Sequence, residues 1–256
     1  MSTLEAASLL RMAGGAIVFT GAGMSTESGL PDFRSASGLW AGVDPIAVAS
    51  RGTLERRPEV FYDFYRERLC HLGGAAPNIG HRALAAMERA GWVKTVVTQN
   101  VDGLHQAGGS CRVIELHGNL RESACIGCGE LGPAARLRTA IGAGGLPRCP
   151  SCGGLLKPNV VLFDELLPEE PWQAAVRAAR ASRLMLVVGS SLQVTPAAYL
   201  PLETLEAGGR LIIVNREPTP YDDRAAITIR ASAGGVLAEI SALLEHDMCR
   251  RRREAG

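Results

Sequence analysis

Hydrophobic and polar positions alternate between two kinds of segment along this chain. Short runs of Val, Ile and Leu, most of them ending near Gly, Asn or Ser, are separated by helix-like stretches. Uninterrupted apolar runs of this length are typical of a parallel sheet that is buried on both faces. Strands are predicted at 16–20, 93–98, 112–116, 184–191, 210–215 and 226–231, and helices at 83–90, 172–181, 201–207 and 236–245. The alternation predicts an α/β protein with a doubly wound, Rossmann-like parallel sheet.

Two stretches interrupt this alternation and are predicted to leave the sheet and return to it. The first, 34–78, contains a helical segment at 58–69 but no obvious strand, and the second, 121–157, contains four cysteines. We expect them to form a smaller domain from a helical insertion and a zinc ribbon. The larger domain is then assigned to 1–33, 79–120 and 158–247, and a basic tail to 248–256.

Composition and charge narrow the possible classes of function only slightly. Apolar residues make up 46% of the 256 residues, which is ordinary for a globular protein. The net charge of +1 gives no reason to expect nucleic acid as the main ligand. The run 250–253 consists of four arginines, which predict either a solvated, frayed tail or a contact for an anionic partner. No apolar run approaches the roughly 20 residues that span a bilayer, and the first residues do not resemble a secretory signal, so a cytoplasmic protein without membrane contact is expected.

Four of the seven cysteines form two close pairs. Cys125 and Cys128 form one CxxC pair, Cys149 and Cys152 form the other, and each pair is followed by glycine. This spacing is typical of one tetrahedral zinc ion held by four thiolates. With all four positions filled by protein ligands, no position remains for an activated water, so the zinc is predicted to be structural. Two unrelated thiol pairs remain the alternative.

A glycine turn follows the first predicted strand. Gly21 and Gly23 would let the backbone approach a pyrophosphate at the start of the next helix. The turn alone is a weak signal, because Thr26 occupies the position of the usual third glycine and no acidic residue follows at the standard distance. A plain strand-to-helix turn would have the same pattern. A conventional dehydrogenase is disfavoured by the missing glycine and by the paired cysteines.

Five ordered strings carry a resemblance to one family. They are GAGMSTESGLPDFR (21–34), QNVDGLHQAG (99–108), ELHGN (115–119), GSSLQVTPAA (189–198) and IVNREPT (213–219). Together they closely resemble the sirtuins, and the resemblance spans about 14–240. It implies removal of acyl groups from lysine side chains of proteins, with NAD consumed as co-substrate. The products would be nicotinamide, O-acyl-ADP-ribose and free lysine.

The resemblance also implies roles for individual residues. His117 would be the general base, and Asn100, with Gln99, would position the ribose and an ordered water. A strand-end histidine is otherwise more often structural, and Phe33 could be an ordinary core residue. The full set of expected NAD-contacting residues is Gly21, Ala22, Gly23, Ser25, Asp32, Phe33, Arg34, Trp40, Gln99, Asn100, Val101, Asp102, Gly189, Ser190, Ser191, Asn215, Arg216, Glu217 and Ala233.

The substrate would be an acylated protein or peptide, bound as an extended strand between the two domains. In the sirtuins, the segment that corresponds to 160–168 forms one wall of this cleft, so Val161, Phe163, Asp164 and Glu165 are expected to contact the peptide. Asp164 stands where sirtuins usually have glycine. One hypothesis is that its charge selects basic residues beside the acylated lysine.

The acyl group is left open between two classes. Tyr65 and Arg68 resemble the pair that succinyl- and malonyl-specific sirtuins use to bind the distal carboxylate, and an arginine beside a phenol is a sensible carboxylate site. The same segment also reads as an amphipathic helix with solvated arginines. Acetyl-lysine is therefore the expected substrate, with succinyl- or malonyl-lysine as the alternative. A protein mono-ADP-ribosyltransferase and a non-catalytic NAD-sensing module remain as other functions.

Overall fold

The computed structural model describes residues 2–33, 38–72 and 74–254. Its helices are α1 (Ser2–Ala13), α2 (Pro45–Ala49), α3 (Arg51–Arg56), α4 (Pro58–Leu72), α5 (Ile79–Arg89), α6 (Leu104–Ala107), α7 (Ala134–Gly142), α8 (Glu169–Arg180), α9 (Leu200–Glu206) and α10 (Ala233–Glu254). Its strands are β1 (Ala16–Thr20), β2 (Val93–Thr98), β3 (Val113–Glu115), β4 (Gly118–Cys125), β5 (Leu131–Pro133), β6 (Leu156–Val160), β7 (Leu184–Val188), β8 (Arg210–Val214) and β9 (Ile227–Ile229). Short 3-10 turns lie at 22–24, 26–28, 197–199 and 222–224.

Within these described ranges, six strands form a parallel sheet in the order β3-β2-β1-β7-β8-β9. β1 pairs in parallel with β2 on one side and with β7 on the other. From β1 the chain adds β2 and β3 on one side of the sheet, and from β7 it adds β8 and β9 on the other side. The β1/β7 junction is therefore the topological switch point of a doubly wound sheet. The predicted fold class is confirmed: β1 and β2 have the predicted bounds, and β3, β7, β8 and β9 are a little shorter than the apolar runs that predicted them.

The sheet is buried on both faces because successive side chains of a strand point to opposite sides. Val18 packs into a core cluster with residues of α1, α5 and α10. Ile17 and Phe19 pack into a second cluster with residues of α8 and α9. Every residue of β1 and β7 is buried, which is why both strands are continuous apolar runs in the sequence.

A second, antiparallel sheet has the order β5-β4-β6 and shares a hydrophobic core with the helices of 45–72. Leu137 and Ile141 of α7 pack into this core beside Phe61 of α4. The hydroxyl of Tyr62 donates a hydrogen bond of 2.8 Å to the carbonyl of Leu156, so α4 and β6 are joined by polar contact as well. The helical insertion and the cysteine segment therefore pack as one unit.

Some helices begin or end differently from the sequence pattern. α5 begins at Ile79 rather than 83 because the side chain of Asn78 caps its first turn. In return, the backbone N–H of Asn78 donates a hydrogen bond to Nδ1 of His81. The sequence pattern did not predict α1 or α7. α10 continues to Glu254, so the backbone of the arginine run 250–253, one of whose predicted states is a frayed tail, is helical. Among the described helices, none combines the length and apolarity that a membrane crossing needs.

Two neutral histidines are buried behind β1. The Thr20 hydroxyl donates a hydrogen bond to Thr98 Oγ1 at 2.8 Å. Its oxygen therefore accepts a hydrogen bond from the N–H of His105 Nε2 at 2.9 Å. The rings of His81 and His105 lie 4.9 Å apart. Burial lowers the pKa of His81 to about 4, and burial together with the neighbouring His81 lowers the pKa of His105 to about 3. Both histidines are therefore uncharged at neutral pH.

We predict that this pair makes the fold acid-sensitive. A histidine whose pKa is lower in the folded than in the unfolded state contributes stability that is present above about pH 6.5 and is lost as the pH falls toward about 4. The slope is about 1.4 kcal/mol per pH unit for each such group. The free energy of unfolding is measured with urea at several pH values between 7 and 4.5. It should decrease less steeply with falling pH in His81→Gln than in the wild type.

His246→Gln provides the control, because His246 lies exposed on α10. It should leave the slope unchanged. Parallel stability curves for the wild type and His81→Gln would contradict a neutral, buried His81.

Candidate active site and metal centre

A large cavity lies at the carboxyl edge of the parallel sheet, at the β1/β7 switch point. It has a volume of about 1180 Å³, which exceeds that of a typical small-molecule site. The segments that follow β1, β2, β7 and β8 all reach it, because the carboxyl ends of parallel strands share one edge. A dinucleotide together with an extended side chain would match this size.

Most of the predicted site residues line this cavity. The lining set includes Gly21, Ala22, Gly23, Asp32, Phe33, Trp40, Tyr65, Gln99, Asn100, Val101, His117, Val161, Phe163, Glu165, Gly189, Ser190, Ser191, Asn215, Arg216, Glu217 and Ala233. Ser25, Asp102 and Asp164 are not part of the lining. Arg34 and the side chain of Arg68 fall outside the described residues, so their assignments stay predictions.

The floor of the cavity consists of two loops whose backbones touch. The N–H of Gly23 donates to the carbonyl of Gly189 at 2.8 Å, and the N–H of Gly21 donates to the carbonyl of Val188 at 3.1 Å. A Cβ at position 21 or 23 would approach the backbone of Gly189 to 2.8 Å. Gly189 itself has φ of 61°. Glycine is required here by contact between the loops, and the narrow turn leaves backbone amides near the cavity for anionic groups.

His117 lies between β3 and β4, with its ring directed by the chain that follows β2. Its Nδ1 is 3.0 Å from the carbonyl oxygen of Gln99, and because a carbonyl only accepts, Nδ1 carries the proton. Nε2 of the neutral ring is then left with a lone pair. Burial lowers the pKa of His117 below its ordinary value, while the bond to Gln99 opposes that shift. The side chain is therefore a neutral base at pH 7.

Asn100 is held beneath the cavity by a network of hydrogen bonds. Its Nδ2 donates to the carbonyl of Gly21 at 3.0 Å and to Ser25 Oγ at 3.2 Å. Ser25 donates in turn to Asp102 Oδ2 at 2.7 Å, and the N–H of Leu104 donates to Asp102 Oδ1 at 2.9 Å. Ser25 and Asp102 thus orient Asn100 and the glycine turn, and a direct contact of Asp102 with NAD stays a prediction.

Two further bonds arrange the opposite side of the cavity. Gln99 Nε2 donates to Ser190 Oγ at 2.9 Å, which joins the segment after β2 to the loop after β7. Asn215 Nδ2 donates to the carbonyl of Glu217 at 2.8 Å, which shapes the turn after β8. These contacts fix polar groups at the carboxyl ends of β2, β7 and β8.

An aromatic cluster closes the side of the cavity formed by the helical insertion. The ring of Trp40 stacks on Phe33 at 5.8 Å and on Phe64 at 5.5 Å, and Phe163 meets it edge-on at 5.5 Å. Tyr65 is buried against Phe64 and the rest of α4. Such a cluster can exclude water from a reacting centre.

The segment after β6 forms the wall next to this cluster, because Phe163 belongs to both. The N–H of Val161 donates to the carbonyl of His117 at 2.9 Å. Glu165 accepts from Lys157 at 2.8 Å and from the N–H of Leu162 at 2.9 Å. The wall is therefore attached directly to the residue that carries the base.

Sequence reasoning missed several stretches of the cavity wall, among them 29–31, 166–167 and 193–196. Residues 193–196 line the cavity although only 189–191 were assigned from the string GSSLQVTPAA. The same string contained the signal, since it continues through these positions. The apolar residues Ala49, Leu120 and Leu162 were also missed, because nothing in their local sequence distinguishes them from core residues.

The four paired cysteines converge at the end of the small sheet. Their Sγ atoms all lie within 4.8 Å of one another, with 3.5 Å between Cys125 and Cys152 and 3.8 Å between Cys128 and Cys149. Four thiolates at about 2.3 Å from a tetrahedral zinc ion would be separated by about 3.8 Å. N–H groups of Cys128 and Gly127 donate to Cys125 Sγ and lower the pKa of this thiol to about 6. The donor set fits one zinc ion.

Comparisons with known proteins agree with this geometry. The Sir2 family profile matches residues 21–196. A protein of Caldivirga maquilingensis named NAD-dependent protein deacetylase is 50% identical over 234 residues, covering 91% of this chain and 90% of the relative. A protein of Thermococcus kodakarensis named NAD-dependent protein deacylase is 41% identical over 250 residues, covering 96% and 97%.

Solved structures give the same result. One from a study of the mechanism and regulation of Sir2 enzymes has a TM-score of 0.89 and 43% identity, covering 96% of this chain and 98% of that one. A Sir2 complex with a p53 peptide and NAD+ has a TM-score of 0.86 and 36% identity, covering 97% and 100%. The family profile covers more than half of the chain, and the relatives match nearly all of it. The chain therefore belongs to the Sir2 family.

Proposed function

We propose that this chain is an NAD-dependent protein deacylase in which His117 serves as the general base. One observation supports this most strongly: the free Nε2 of a neutral, half-buried His117 lies in the same cavity as the glycine turn after β1 and the wall at 160–165. The relatives are named deacetylases and deacylases, which supports the same reaction for this chain.

Different residues of the cavity have different roles in the proposed reaction. Bound NAD supplies the electrophilic ribose carbon that the acyl oxygen attacks, and it is consumed. His117 Nε2 takes the proton of a ribose hydroxyl, and its lowered pKa keeps the ring neutral for that purpose. Asn100, oriented through Ser25, positions the ribose. Phe33 and Trp40 exclude water from the reacting carbon, so the protein contributes orientation and shielding rather than a nucleophile.

The acylated peptide is proposed to bind as an extended strand along 160–165, between the larger and the smaller domain. The division is proposed at 34–78 and 121–157 for the smaller domain. Sir2 structures have been solved with a p53 peptide and with a propionylated peptide, which supports a peptide substrate here. Val161, Phe163 and Glu165 line the cavity beside this path. The remaining NAD contacts are proposed as predicted, including that of Arg34.

The zinc ion is proposed to be structural. All four cysteine thiolates are needed as ligands, which leaves no position for an activated water. The zinc centre is also built at the far end of β4 from His117, outside the cavity lining. Cysteines paired for metal binding rather than for disulfides support a cytoplasmic location for the protein.

We predict that replacing His117 abolishes acyl removal. His117→Ala should lower kcat/KM on an acetyl-lysine peptide by at least about 100-fold, the usual contribution of a positioned base. In the wild type, kcat/KM should fall as the pH decreases through the His117 pKa, because only the neutral ring accepts a proton. The midpoint of this acid limb should lie below 6.5, because burial lowers the pKa. Liquid chromatography of nicotinamide and deacylated peptide measures both.

The exposed His246 supplies the control, since His246→Ala should retain the wild-type rate. NAD that is labelled in its ADP-ribose part distinguishes the three candidate functions by the product that carries the label. Label on O-acyl-ADP-ribose supports deacylation, label attached to protein indicates mono-ADP-ribosyl transfer, and no nicotinamide release indicates a non-catalytic NAD-sensing module. Unchanged acyl removal by His117→Ala contradicts the proposed mechanism.

We predict one zinc ion per chain, held by the cysteine cluster. Cys152→Ser should lose most of the bound zinc and lower the unfolding temperature, because it removes one of four ligands. Elemental analysis and thermal unfolding measure these changes. Cys111→Ser is the matched control, since Cys111 is an exposed thiol outside the cluster, and it should retain the metal. Full zinc content in Cys152→Ser would exclude this site.

The acyl group is the finer part of the proposal. Tyr65 lines the cavity and is buried beside the aromatic cluster. Acetyl-lysine is the proposed substrate, and an acyl group with a distal carboxylate is the second candidate, because Tyr65 is the residue that would meet its far end. Arg68 would supply the cation for that carboxylate.

We predict that Arg68 affects acyl preference if the second candidate holds. Arg68→Met should then lower kcat/KM for a succinyl-lysine peptide about tenfold or more and leave acetyl-lysine turnover within about twofold, because only the succinyl group offers a charge partner. Arg66→Met is the control on the same helix, since Arg66 is bound to Asp63 and to the carbonyl of Ile141. Equal effects on both substrates would assign this chain to acetyl-lysine alone.

A further inference from the structure

We propose that Asp164 is a positioning residue that joins the peptide-binding wall to helix α3 and so sets the shape of the acyl-lysine channel. This inference rests on the proposed deacylase function. It differs from the hypothesis that the charge of Asp164 selects basic residues in the substrate.

The carboxylate of Asp164 binds the start of α3. Its Oδ1 accepts the N–H of Arg51 at 2.9 Å, and its Oδ2 accepts the N–H of Gly52 at 3.2 Å. Ser50 Oγ accepts the next N–H, that of Thr53, at 3.0 Å. The first three N–H groups of the helix are therefore satisfied by two segments that are far apart in sequence. A carboxylate at this end of a helix also complements the helix dipole.

The neighbouring backbone makes the same connection. The N–H of Phe163 donates to the carbonyl of Ala49 at 3.2 Å, and the N–H of Arg51 lies 3.4 Å from the carbonyl of Phe163. Ser50 and Phe163 form an isolated parallel bridge. These backbone contacts are long or few, so the bidentate contact of Asp164 provides the shortest hydrogen bond across the junction.

The junction lies where two walls of the cavity meet. Ala49 and Phe163 both line the cavity, and the Phe163 ring packs edge-on against Trp40. At the other end of the wall, Val161 is bonded to the carbonyl of His117. The wall is thus held at one end by the residue that carries the base and at the other by α3. Release of the α3 end would widen the channel without moving the base.

The same geometry argues against direct reading of substrate charge by Asp164. Both carboxylate oxygens point to backbone N–H groups rather than into the cavity, and Asp164 is absent from the cavity lining. The nearby guanidinium of Arg51 is bonded to Glu55 and lies 3.7 Å from Glu165. The charges of Asp164 and Arg51 are therefore already directed to partners within the protein rather than to a substrate.

The backbone conformation explains why aspartate can occupy this position. Asp164 has φ of 73°, a left-handed conformation that favours glycine, and aspartate tolerates it better than most residues do. Glycine would adopt this φ without strain but has no carboxylate for α3. Asp164→Gly therefore removes the connection and leaves the turn favourable, which makes it a sharp test.

The test compares steady-state kinetics of the wild type, Asp164→Gly and Asp164→Asn on an acetyl-lysine peptide panel with acidic, neutral or basic flanking residues. Asp164→Gly should raise the peptide KM about threefold to tenfold, as expected for a lost helix cap, with kcat and the KM for NAD within about twofold. Asp164→Asn retains one acceptor and should show a smaller rise. Asp223→Asn, which removes an exposed charge outside the cavity, should match the wild type.

The ranking of flanking charges should stay the same in all variants. A changed ranking in Asp164→Gly overturns the proposal in favour of direct charge selection, and an unchanged peptide KM overturns it as well. A loss of kcat and of NAD affinity together would assign Asp164 a general structural role instead. If Asp164→Gly does not fold, Asp164→Asn alone carries these comparisons.

Amide hydrogen exchange separates this proposal from the proposed function. Exchange across 49–53, measured without NAD or peptide, should be faster in Asp164→Gly than in the wild type, because the N–H of Gly52 loses its Asp164 acceptor and that of Arg51 keeps only the long contact to Phe163. A wild type that removes no acyl group would overturn the proposed function, while the exchange result would still decide the contact. Unchanged exchange across 49–53 would overturn the role of Asp164.

Discussion

The backbone contact between the loops after β1 and β7 is the constraint on which the cavity depends. Gly23 donates to the carbonyl of Gly189 at 2.8 Å, and there is no room for a Cβ on either side of this contact. Because the strand order reverses between β1 and β7, their loops would otherwise diverge and leave an open crevice. Their mutual packing closes the crevice from below, so that backbone amides and small side chains form the floor. The polar residues after β2 and β8 are then placed around that floor.

His117 is useful because its surroundings fix both its protonation and its neighbours. The carbonyl of Gln99 holds the proton on Nδ1, and burial keeps the ring neutral, so Nε2 is available as a base. The backbone carbonyl of His117 accepts a hydrogen bond from the N–H of Val161, at the start of the proposed peptide wall. A single position in the chain therefore connects the segment after β2, where a ribose is expected, with the segment after β6, where an acylated lysine is expected.

The sequence predicted the parts of the fold whose pattern is local and missed those that depend on packing. β1 and β7 were predictable because burial on both faces requires continuous apolar runs. α7 was missed because its apolar residues, Leu137 and Ile141, lie among glycines and cysteines that dominate the segment. In the site, the family strings contain most of the cavity lining, but the wall at 160–167 lies outside them. They did not reveal that Ser25 and Asp102 bind each other, since a string gives position but not the partner of each hydrogen bond.

The zinc centre and the active site are distant, yet one strand connects them. β4 begins at Gly118, directly after the proposed base, and ends at Cys125, a metal ligand. Its partner β6 ends at Val160, where the peptide wall begins, and the Cys149–Cys152 pair precedes it. Holding both cysteine pairs at one ion therefore fixes the far ends of the two strands that carry the base and the wall. A bound zinc ion would contribute no chemistry in this arrangement, but it would limit how far β4 and β6 can move apart at the end of the sheet that carries the cysteines.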